Sequence, residues 1–201
     1  MIPPCNIHCL ALNYRGVGTS SDVRPLYFVK SSSAYCRDGA VVRIPRDVPV
    51  VWTEVELGIV VGRDCADPVD VAEPGLIAGY VVCADISCDN ILGRDHHLAF
   101  SKSRTGFCPV GSDVVGLSLE QTLNLRMATY INGRETQTGT TEAMILNAHE
   151  SLHYVLTLTG IQKGDIVLTG TPPGHENNAL HPGDEVRHQI EAIGDLRYRI
   201  V

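Results

Sequence analysis

The chain has 201 residues, of which 44% are hydrophobic and 19% are charged, and this composition is typical of a folded globular protein with a sizeable core. The net charge of −7 and the scattered basic residues argue against a nucleic-acid-binding protein. No apolar run reaches the roughly 18 residues of a membrane span. No signal peptide is evident and the seven cysteines contain no C-x-x-C pair, so we expect reduced thiols in a cytoplasmic protein.

Apolar runs along the chain predict strands much more often than helices. Strands are predicted at 7–12, 26–29, 40–45, 50–62, 76–86, 123–131, 134–138, 165–169, 185–190 and 196–201. The segments between them are predicted as a polar loop at 17–25, a connector with one helical turn at 66–73, a short helix and loop at 87–103, and a tight turn at 107–111. We therefore expect a mostly β (α+β) fold with a few peripheral helices on mixed sheets, in one domain covering 1–201.

Two local motifs are strong enough to predict structure by themselves. Asn132-Gly133 separates two predicted strands, and because both residue types tolerate positive φ, the pair predicts a hairpin. The segment 147–158 predicts a helix. Asn147 is its expected N-cap, and Glu150 completes a capping box.

The most informative stretch is Glu54-Val55-Glu56, inside an otherwise apolar predicted strand. Residues i and i+2 of a strand share a face, so both carboxylates point the same way. A buried pair of carboxylates is costly unless a positive charge compensates it. Asp85, at the end of another apolar run, is the best third ligand for a hard divalent cation. The alternatives are two solvated acids on an exposed face and an ordinary strand-end cap at Asp85.

Several other residues have both a functional interpretation and a purely structural one. Lys102 and Arg104 can bind an anionic substrate, with Lys102 handling a proton, or form a solvated loop pair. Thr169-Gly170-Thr171 can present hydroxyl and N–H groups to a carboxylate, or form an ordinary Pro-Gly turn. His96 and His97 are a candidate acid or base or a pair of surface residues, and His149 and His153 are expected at the surface or its boundary.

The order of several short motifs resembles the fumarylacetoacetate hydrolase family. The matching pieces are Leu12-Asn13-Tyr14-Arg15, Phe28-Val29-Lys30, Glu54-Val55-Glu56-Leu57, Gly79-Tyr80 with Asp85, Lys102-Ser103-Arg104 with Phe107-Cys108-Pro109, Asn132-Gly133, Lys163-Gly164-Asp165 with Thr169-Gly170-Thr171-Pro172, and Pro182-Gly183-Asp184. They run from residue 10 to the end of the chain, and their order and spacing together are specific.

The resemblance implies a rolled mixed β-sheet, a homodimer, and Mg²⁺ or Mn²⁺ held by Glu54, Glu56 and Asp85. It implies that Lys102 acts near the substrate and that Thr171 binds a substrate carboxylate. Tyr14, Arg15 and Arg104 are the other expected substrate contacts. The substrate would be a small anionic 2-oxo acid, whose developing enolate a metal stabilises as a Lewis acid.

Two positions depart from the family pattern. Hydrolytic members carry a His-x-x-Glu pair on a lid after the Asn-Tyr motif, and here Val17 and Ser20 stand at the equivalent positions. No histidine occurs between His8 and His96, so the base that orients an attacking water is missing from its usual place. Many members also have Arg-Asp where this chain has Asp89 and Asn90.

These departures, with a Lys-Ser-Arg-x-Gly-Phe-Cys-Pro run at 102–109, favour the isomerase/decarboxylase branch of the family. That branch shifts double bonds in, or decarboxylates, unsaturated 2-oxo dicarboxylates and tricarboxylates without activating water. The alternatives are a C–C bond hydrolase or an oxaloacetate decarboxylase that recruits His96 or His97. An alternative of another class is a non-catalytic relative that serves as a binding or partner subunit.

Overall fold

The computed structural model describes residues 3–17, 24–67, 71, 73–90, 93 and 95–201, which form two mixed β-sheets with few helices. The first sheet contains β1 (Ile7–Ala11), β2 (Leu26–Lys30), β3 (Tyr35–Arg37), β5 (Val51–Val61), β6 (Ile77–Cys88), β7 (Cys108–Val110) and β10 (Ile166–Leu168). The second sheet contains β4 (Val41–Val42), β8 (Arg126–Ile131), β9 (Arg134–Thr140), β11 (Glu185–Ile190) and β12 (Gly194–Ile200). The predicted mostly β fold is confirmed.

The long antiparallel pair β5–β6 forms the centre of the first sheet. The strand order is β2-β1-β10-β5-β6-β7-β3, and β5 and β6 pair from Val51 opposite Cys88 to Val61 opposite Ile77. Both strands are almost wholly buried, because β11 and β12 of the second sheet pack against β6 and β8 packs against β5. The prediction that the strand of Glu54 and Glu56 is buried on both faces is therefore confirmed.

The first sheet curls, and one side chain demonstrates the curvature. Lys30 ends β2, which stands four places from β6 in the strand order. Its ammonium group nevertheless donates to the carbonyl oxygens of Ile86 at 3.0 Å and Phe107 at 2.7 Å. A flat sheet with strands about 4.8 Å apart would separate these groups by nearly 20 Å, so the sheet rolls until β2 approaches β6.

The hairpin and the helix that the sequence predicts are both present. Asn132 and Gly133 have φ values of 52° and 80° and join β8 to β9. Helix α3 (Ala148–Leu158) begins after Asn147, whose side chain accepts from the Glu150 N–H while the Glu150 side chain accepts from the Asn147 N–H. The helix buries an apolar stripe that includes Leu152, Val155 and Leu156.

Three segments differ from the sequence prediction. The predicted turn at 107–111 contains β7, which adds a strand beside β6 although it is only three residues long. The start of the predicted strand at 123–131 is preceded by helix α2 (Leu119–Thr122), which has its own capping box, and β8 begins only at Arg126. The predicted strand at 40–45 is reduced to Val41–Val42.

The remaining helices are short. Helix α1 (Ala99–Lys102) confirms the short helix expected within 87–103, and single 3₁₀ turns cover Ser32–Ala34, Thr141–Ala143 and His175–Asn177. Most of the predicted loop at 17–25, including Ser20, and half of the connector at 66–73 lie outside the described residues. Within the described part of the chain, no helix is both long and apolar enough to cross a membrane.

Candidate metal and substrate site

Three carboxylates meet on the face of β5 and β6 that lies away from the second sheet. Glu54 stands directly opposite Asp85 across the two strands, and Glu56 follows on the same face two residues later. One oxygen from each of the three side chains lies within 4.8 Å of the others. Glu54, Glu56 and Asp85 are only 8%, 2% and 1% exposed, so the alternative of two solvated acids does not describe these residues.

Two lysines contact Asp85, one at each carboxylate oxygen. Lys102, at the end of α1, places its ammonium nitrogen 2.8 Å from Asp85 Oδ2 and 3.2 Å from Glu54 Oε2. Lys30 places its ammonium nitrogen 2.5 Å from Asp85 Oδ1 and is itself fully buried. The Lys102 ammonium also lies 5.4 Å from the centre of the Phe28 ring, a cation–π distance.

The charges in the cluster are not balanced. Burial by itself would raise the pKa of Asp85, but the nearby ammonium groups of Lys102 and Lys30 hold that pKa below its usual value. Burial likewise favours the neutral amine of Lys102, yet Asp85 and Glu54 raise its pKa well above the usual range. Burial and the neighbouring charges of Asp85 and Glu54 raise the pKa of Glu56 well above the usual range. Two ammonium groups thus face three carboxylates; both contact Asp85, Lys102 also contacts Glu54, and neither forms an ion pair with Glu56.

This donor set fits a hard divalent cation. Carboxylate oxygens are the ligands that Mg²⁺ and Mn²⁺ prefer in proteins. The charge of a bound cation would stabilise the ionised form of Glu56. The raised pKa of this buried carboxyl group is therefore what a cation-binding site would show in the absence of the cation's charge.

Neighbouring groups fix the orientation of the two glutamates. The indole N–H of Trp52, two residues before Glu54 on the same face, donates to Glu54 Oε1 at 2.7 Å. The N–H of Gly170 donates to Glu56 Oε2 at 2.5 Å. Gly170 has a φ of 91°, and a Cβ atom there would lie 3.1 Å from the carbonyl oxygen of Leu10, so this position requires glycine.

Thr171 lies in the loop after β10, one residue from the contact between that loop and the carboxylate cluster. Gly170, the residue before it, contacts Glu56, and Thr171 is 7% exposed. Its hydroxyl oxygen accepts a hydrogen bond of 3.0 Å from the side-chain amide of Gln137. Tyr14 is fully buried, and its hydroxyl donates to Met127 Sδ at 3.1 Å. Burial, together with the charge of Glu56, raises the pKa of Tyr14.

The two arginines named from the sequence lie in other surroundings. The exposed Arg15 donates to the carbonyl oxygen of Glu142 at 3.1 Å. The guanidinium of Arg104 stacks 4.1 Å from the Phe100 ring centre and pairs with Asp47 at 3.6 Å. It lines a cleft of about 1160 Å³ whose lining residues include none of the three carboxylates. Their contact with a substrate stays a prediction.

The candidate histidines lie at or near the surface. His96 and His97 are exposed in a turn shortly before α1. His153 is exposed on α3 and His149 is partly buried there, in agreement with the prediction for these two residues. Val17 is partly buried where the family's lid histidine would stand.

Sequence reasoning missed three groups that surround the carboxylates. Trp52 could have been found, because it shares the strand face of Glu54 two residues away. Lys30 could not, because its contact with Asp85 depends on the curl of a sheet in which the two strands are not neighbours. The sequence predicted that the turn at 169–171 could offer N–H groups to a carboxylate, but not that Gly170 donates to Glu56 of the cluster itself.

Comparison with known proteins agrees with this geometry. The family model described as fumarylacetoacetate (FAA) hydrolase C-terminal matches residues 6–201. The chain belongs to the fumarylacetoacetate hydrolase family. It is 29% identical over 203 residues to the mitochondrial oxaloacetate tautomerase FAHD1 of Bos taurus, with 97% of this chain and 91% of that protein covered. It is 32% identical over 200 residues to an uncharacterized protein of Methanocaldococcus jannaschii, with 98% of this chain and 83% of that protein covered.

Solved structures of this family share the fold. The crystal structure of 2-hydroxyhepta-2,4-diene-1,7-dioate isomerase from Mycobacterium marinum superposes with a TM-score of 0.88 at 29% identity. The match covers 99% of this chain and 75% of that one. The fold and the family that the sequence motifs indicated are therefore confirmed.

Proposed function

We propose that this protein is a divalent-metal-dependent isomerase or decarboxylase of an unsaturated 2-oxo acid with one or two carboxylates. The observation that carries the proposal is the position of Lys102. Its ammonium group lies within hydrogen-bonding distance of two carboxylates of a buried three-carboxylate cluster. Similarity to an oxaloacetate tautomerase and to a dienedioate isomerase supports the same chemistry, since both names describe the movement of a double bond and a proton.

Glu54, Glu56 and Asp85 would hold Mg²⁺ or Mn²⁺. When bound, the cation supplies Lewis-acid stabilisation of negative charge that develops on the substrate's 2-oxo oxygen. Lys30 and the Gly170 N–H fix Asp85 and Glu56, so that little reorganisation is needed during the reaction.

Lys102 carries a proton at Nζ beside this cluster and is the expected proton donor, because a bound cation would oppose the carboxylates that raise its pKa. In a decarboxylation, the bond to the leaving carboxylate breaks, its electron pair stays with the 2-oxo fragment, and a proton must be delivered to carbon. In an isomerisation, a proton leaves one atom of the conjugated system and another is delivered elsewhere. Neither reaction consumes water. The chemistry therefore suits a chain that has Val17 and Ser20 in place of the lid pair that orients water in hydrolytic members.

Oxaloacetate is the second candidate substrate, favoured by the similarity to oxaloacetate tautomerase. Its enol and keto forms differ by one proton and one double bond, so their interconversion makes the same demands on Lys102 and on the carboxylates. Thr171 would donate a hydrogen bond to the substrate carboxylate in either case.

The test is a substrate panel assayed with Mg²⁺ or Mn²⁺. It consists of an unsaturated 2-oxo dicarboxylate, oxaloacetate followed separately for tautomerisation and decarboxylation, and an acylpyruvate. We expect activity on the first two, and in Lys102→Met we expect kcat to fall about 10²- to 10⁴-fold, the usual contribution of general acid–base catalysis. Lys102→Arg is the matched control, since it keeps the positive charge but is a far weaker acid.

Three outcomes would contradict the proposal in different ways. Rapid acylpyruvate cleavage with little isomerisation or decarboxylation would identify a hydrolase. Full activity in Lys102→Met would remove the lysine from the mechanism. Absence of Mg²⁺ and Mn²⁺ affinity by calorimetry, together with inactivity on the whole panel, would favour the non-catalytic relative.

A further inference from the structure

Behind Thr171 lies a buried polar network centred on Gln137, a residue of β9 that is 3% exposed. The amide nitrogen of Gln137 donates to Thr171 Oγ1 at 3.0 Å and to the carbonyl oxygen of Pro172 at 2.7 Å. The amide oxygen accepts from Asn178 Nδ2 at 2.8 Å and from Thr129 Oγ1 at 3.0 Å. A glutamine amide has two donor hydrogens and two acceptor positions, so Gln137 is fully satisfied.

The network fixes which way the Gln137 amide faces. The carbonyl oxygen of Pro172 can only accept a hydrogen bond, so the NH₂ end must point toward Pro172 and Thr171. Asn178 supports this orientation. Its own NH₂ group also donates to the Thr53 carbonyl oxygen at 2.9 Å, and its oxygen accepts from the Thr136 hydroxyl at 2.6 Å.

The positions of the protons are also determined beyond the amide oxygen of Gln137, at Thr129 and His188. The Thr129 hydroxyl donates its one proton to the Gln137 oxygen, so it must accept from His188 Nδ1, which lies 3.0 Å away. His188 Nε2 then accepts from one of two hydroxyls, those of Thr53 at 3.0 Å and Tyr198 at 2.9 Å. These two hydroxyls lie 2.6 Å apart, so one of them donates to His188 and the other donates to its neighbour. Burial lowers the pKa of His188 to about 3, so the ring is neutral at pH 7 and carries its one proton at Nδ1.

The consequence for Thr171 concerns its one hydroxyl proton. Because Gln137 donates to Thr171 Oγ1, the threonine hydroxyl serves as acceptor on its buried side, and its own proton is left to donate on the other side. We propose that Gln137 is a positioning residue that holds the Thr171 hydroxyl as a hydrogen-bond donor toward a substrate carboxylate. This inference rests on the proposed function, in which Thr171 contacts that carboxylate.

The experiment measures oxalate binding to the Mg²⁺-loaded protein by calorimetry in a double-mutant cycle. The variants are Thr171→Val, Gln137→Met and the double variant. Each single variant should bind oxalate about 10-fold more weakly, the range expected for loss of one hydrogen bond to a charged group. The double variant should bind no more weakly than Thr171→Val alone, because Gln137 acts through that hydroxyl. A purely structural role for Gln137 would instead make the two losses multiply.

The control is Thr136→Val, in the same strand and the same network. It removes the hydrogen bond to Asn178 but leaves both donors of Gln137 in place, so oxalate affinity should match the parent within about twofold. Gln137→Glu is a second variant of similar volume. An ionised carboxylate would accept the Thr171 proton and turn it away from the substrate, so oxalate binding should again weaken, and more so at higher pH.

The outcomes separate this inference from the proposed function. Parent-like oxalate binding by both Gln137 variants, beside weak binding by Thr171→Val, would overturn the role of Gln137 and leave the proposed function standing. Losses of oxalate affinity that multiply in the double variant would also overturn the role of Gln137 and leave the proposed function standing. A parent protein that binds Mg²⁺ but no oxalate would overturn the proposed function and, with it, this inference.

Discussion

Replacing Lys30 by methionine tests the idea that this lysine fixes the metal site from inside the rolled sheet. The substitution keeps an unbranched side chain only one atom shorter but removes a fully buried ammonium group that lies 2.5 Å from Asp85 Oδ1. It also leaves the carbonyl oxygens of Ile86 and Phe107 without that donor. Removing one partner of a buried ion pair costs about 3–5 kcal/mol, because the remaining charge stays buried. At about 2–4 °C per kcal/mol for a chain of this size, Tm should fall by roughly 6–20 °C.

Lys102→Met is the matched comparison, since it removes the other ammonium group from the same carboxylate. The Lys102 side chain is 12% exposed and that of Lys30 is 0% exposed, so water can partly replace the Lys102 contact. We expect Lys102→Met to cost only about 1–2 kcal/mol of stability while abolishing most activity. Adding Asp85→Asn to Lys30→Met should recover part of the lost stability, because it reduces the excess of carboxylates over the one remaining ammonium group, that of Lys102.

The pH dependence of the Lys30 effect has a defined sign. In the parent, the pKa of Asp85 is lowered in the folded state, so its ionised form contributes stability above the unfolded pKa of about 3.9. This contribution is lost as the pH falls through the folded pKa. The stability gap between parent and Lys30→Met should therefore be largest near neutral pH and shrink below about pH 4. The assay is urea and thermal unfolding, followed by circular dichroism, of the metal-free proteins. A Lys30→Met protein that melts within about 2 °C of the parent at pH 7 would refute the reasoning.

Three further predictions concern charge, packing and protonation. Glu56→Gln should weaken Mg²⁺ or Mn²⁺ binding at least about 100-fold by calorimetry, and unchanged metal affinity would exclude Glu56 as a ligand. The substitution should nevertheless raise the Tm of the metal-free protein, because it removes a buried carboxyl group whose raised pKa makes its ionised form costly. Gly58→Ala should cost about 1–3 kcal/mol, since its Cβ would lie 2.5 Å from Cys83 Sγ. Gly116→Ala, where nothing lies within 4 Å, should be nearly neutral, and equal effects at both glycines would contradict the packing. Because the pKa of His188 is lowered to about 3, the unfolded chain binds the extra proton between about pH 6.5 and 3, and stability should fall on acidification by about 1.4 kcal/mol per pH unit from this group. A His188→Gln protein with the same slope of unfolding free energy against pH as the parent would show that His188 is not its source.

The sequence by itself determined the local structure and the chemical identity of the site. Asn132-Gly133 predicted the hairpin and Asn147 with Glu150 predicted the start of α3, because turn and cap preferences act over a few residues. The spacing of Glu54 and Glu56 in an apolar run placed both carboxylates on one buried face, since strand side chains alternate. The ordered motifs then identified the family.

Only the tertiary structure decided which groups complete the site. Asp85 stands opposite Glu54 because of the β5–β6 register, which depends on the pairing of two distant segments. Lys30 reaches Asp85 because the sheet curls, and Gln137 reaches Thr171 because β9 packs behind the loop after β10. β7 could not be recognised in Cys108-Pro109-Val110, since three residues carry no periodicity and pairing alone makes them a strand. These contacts join residues far apart in the chain, and no preference that acts over a few residues encodes them.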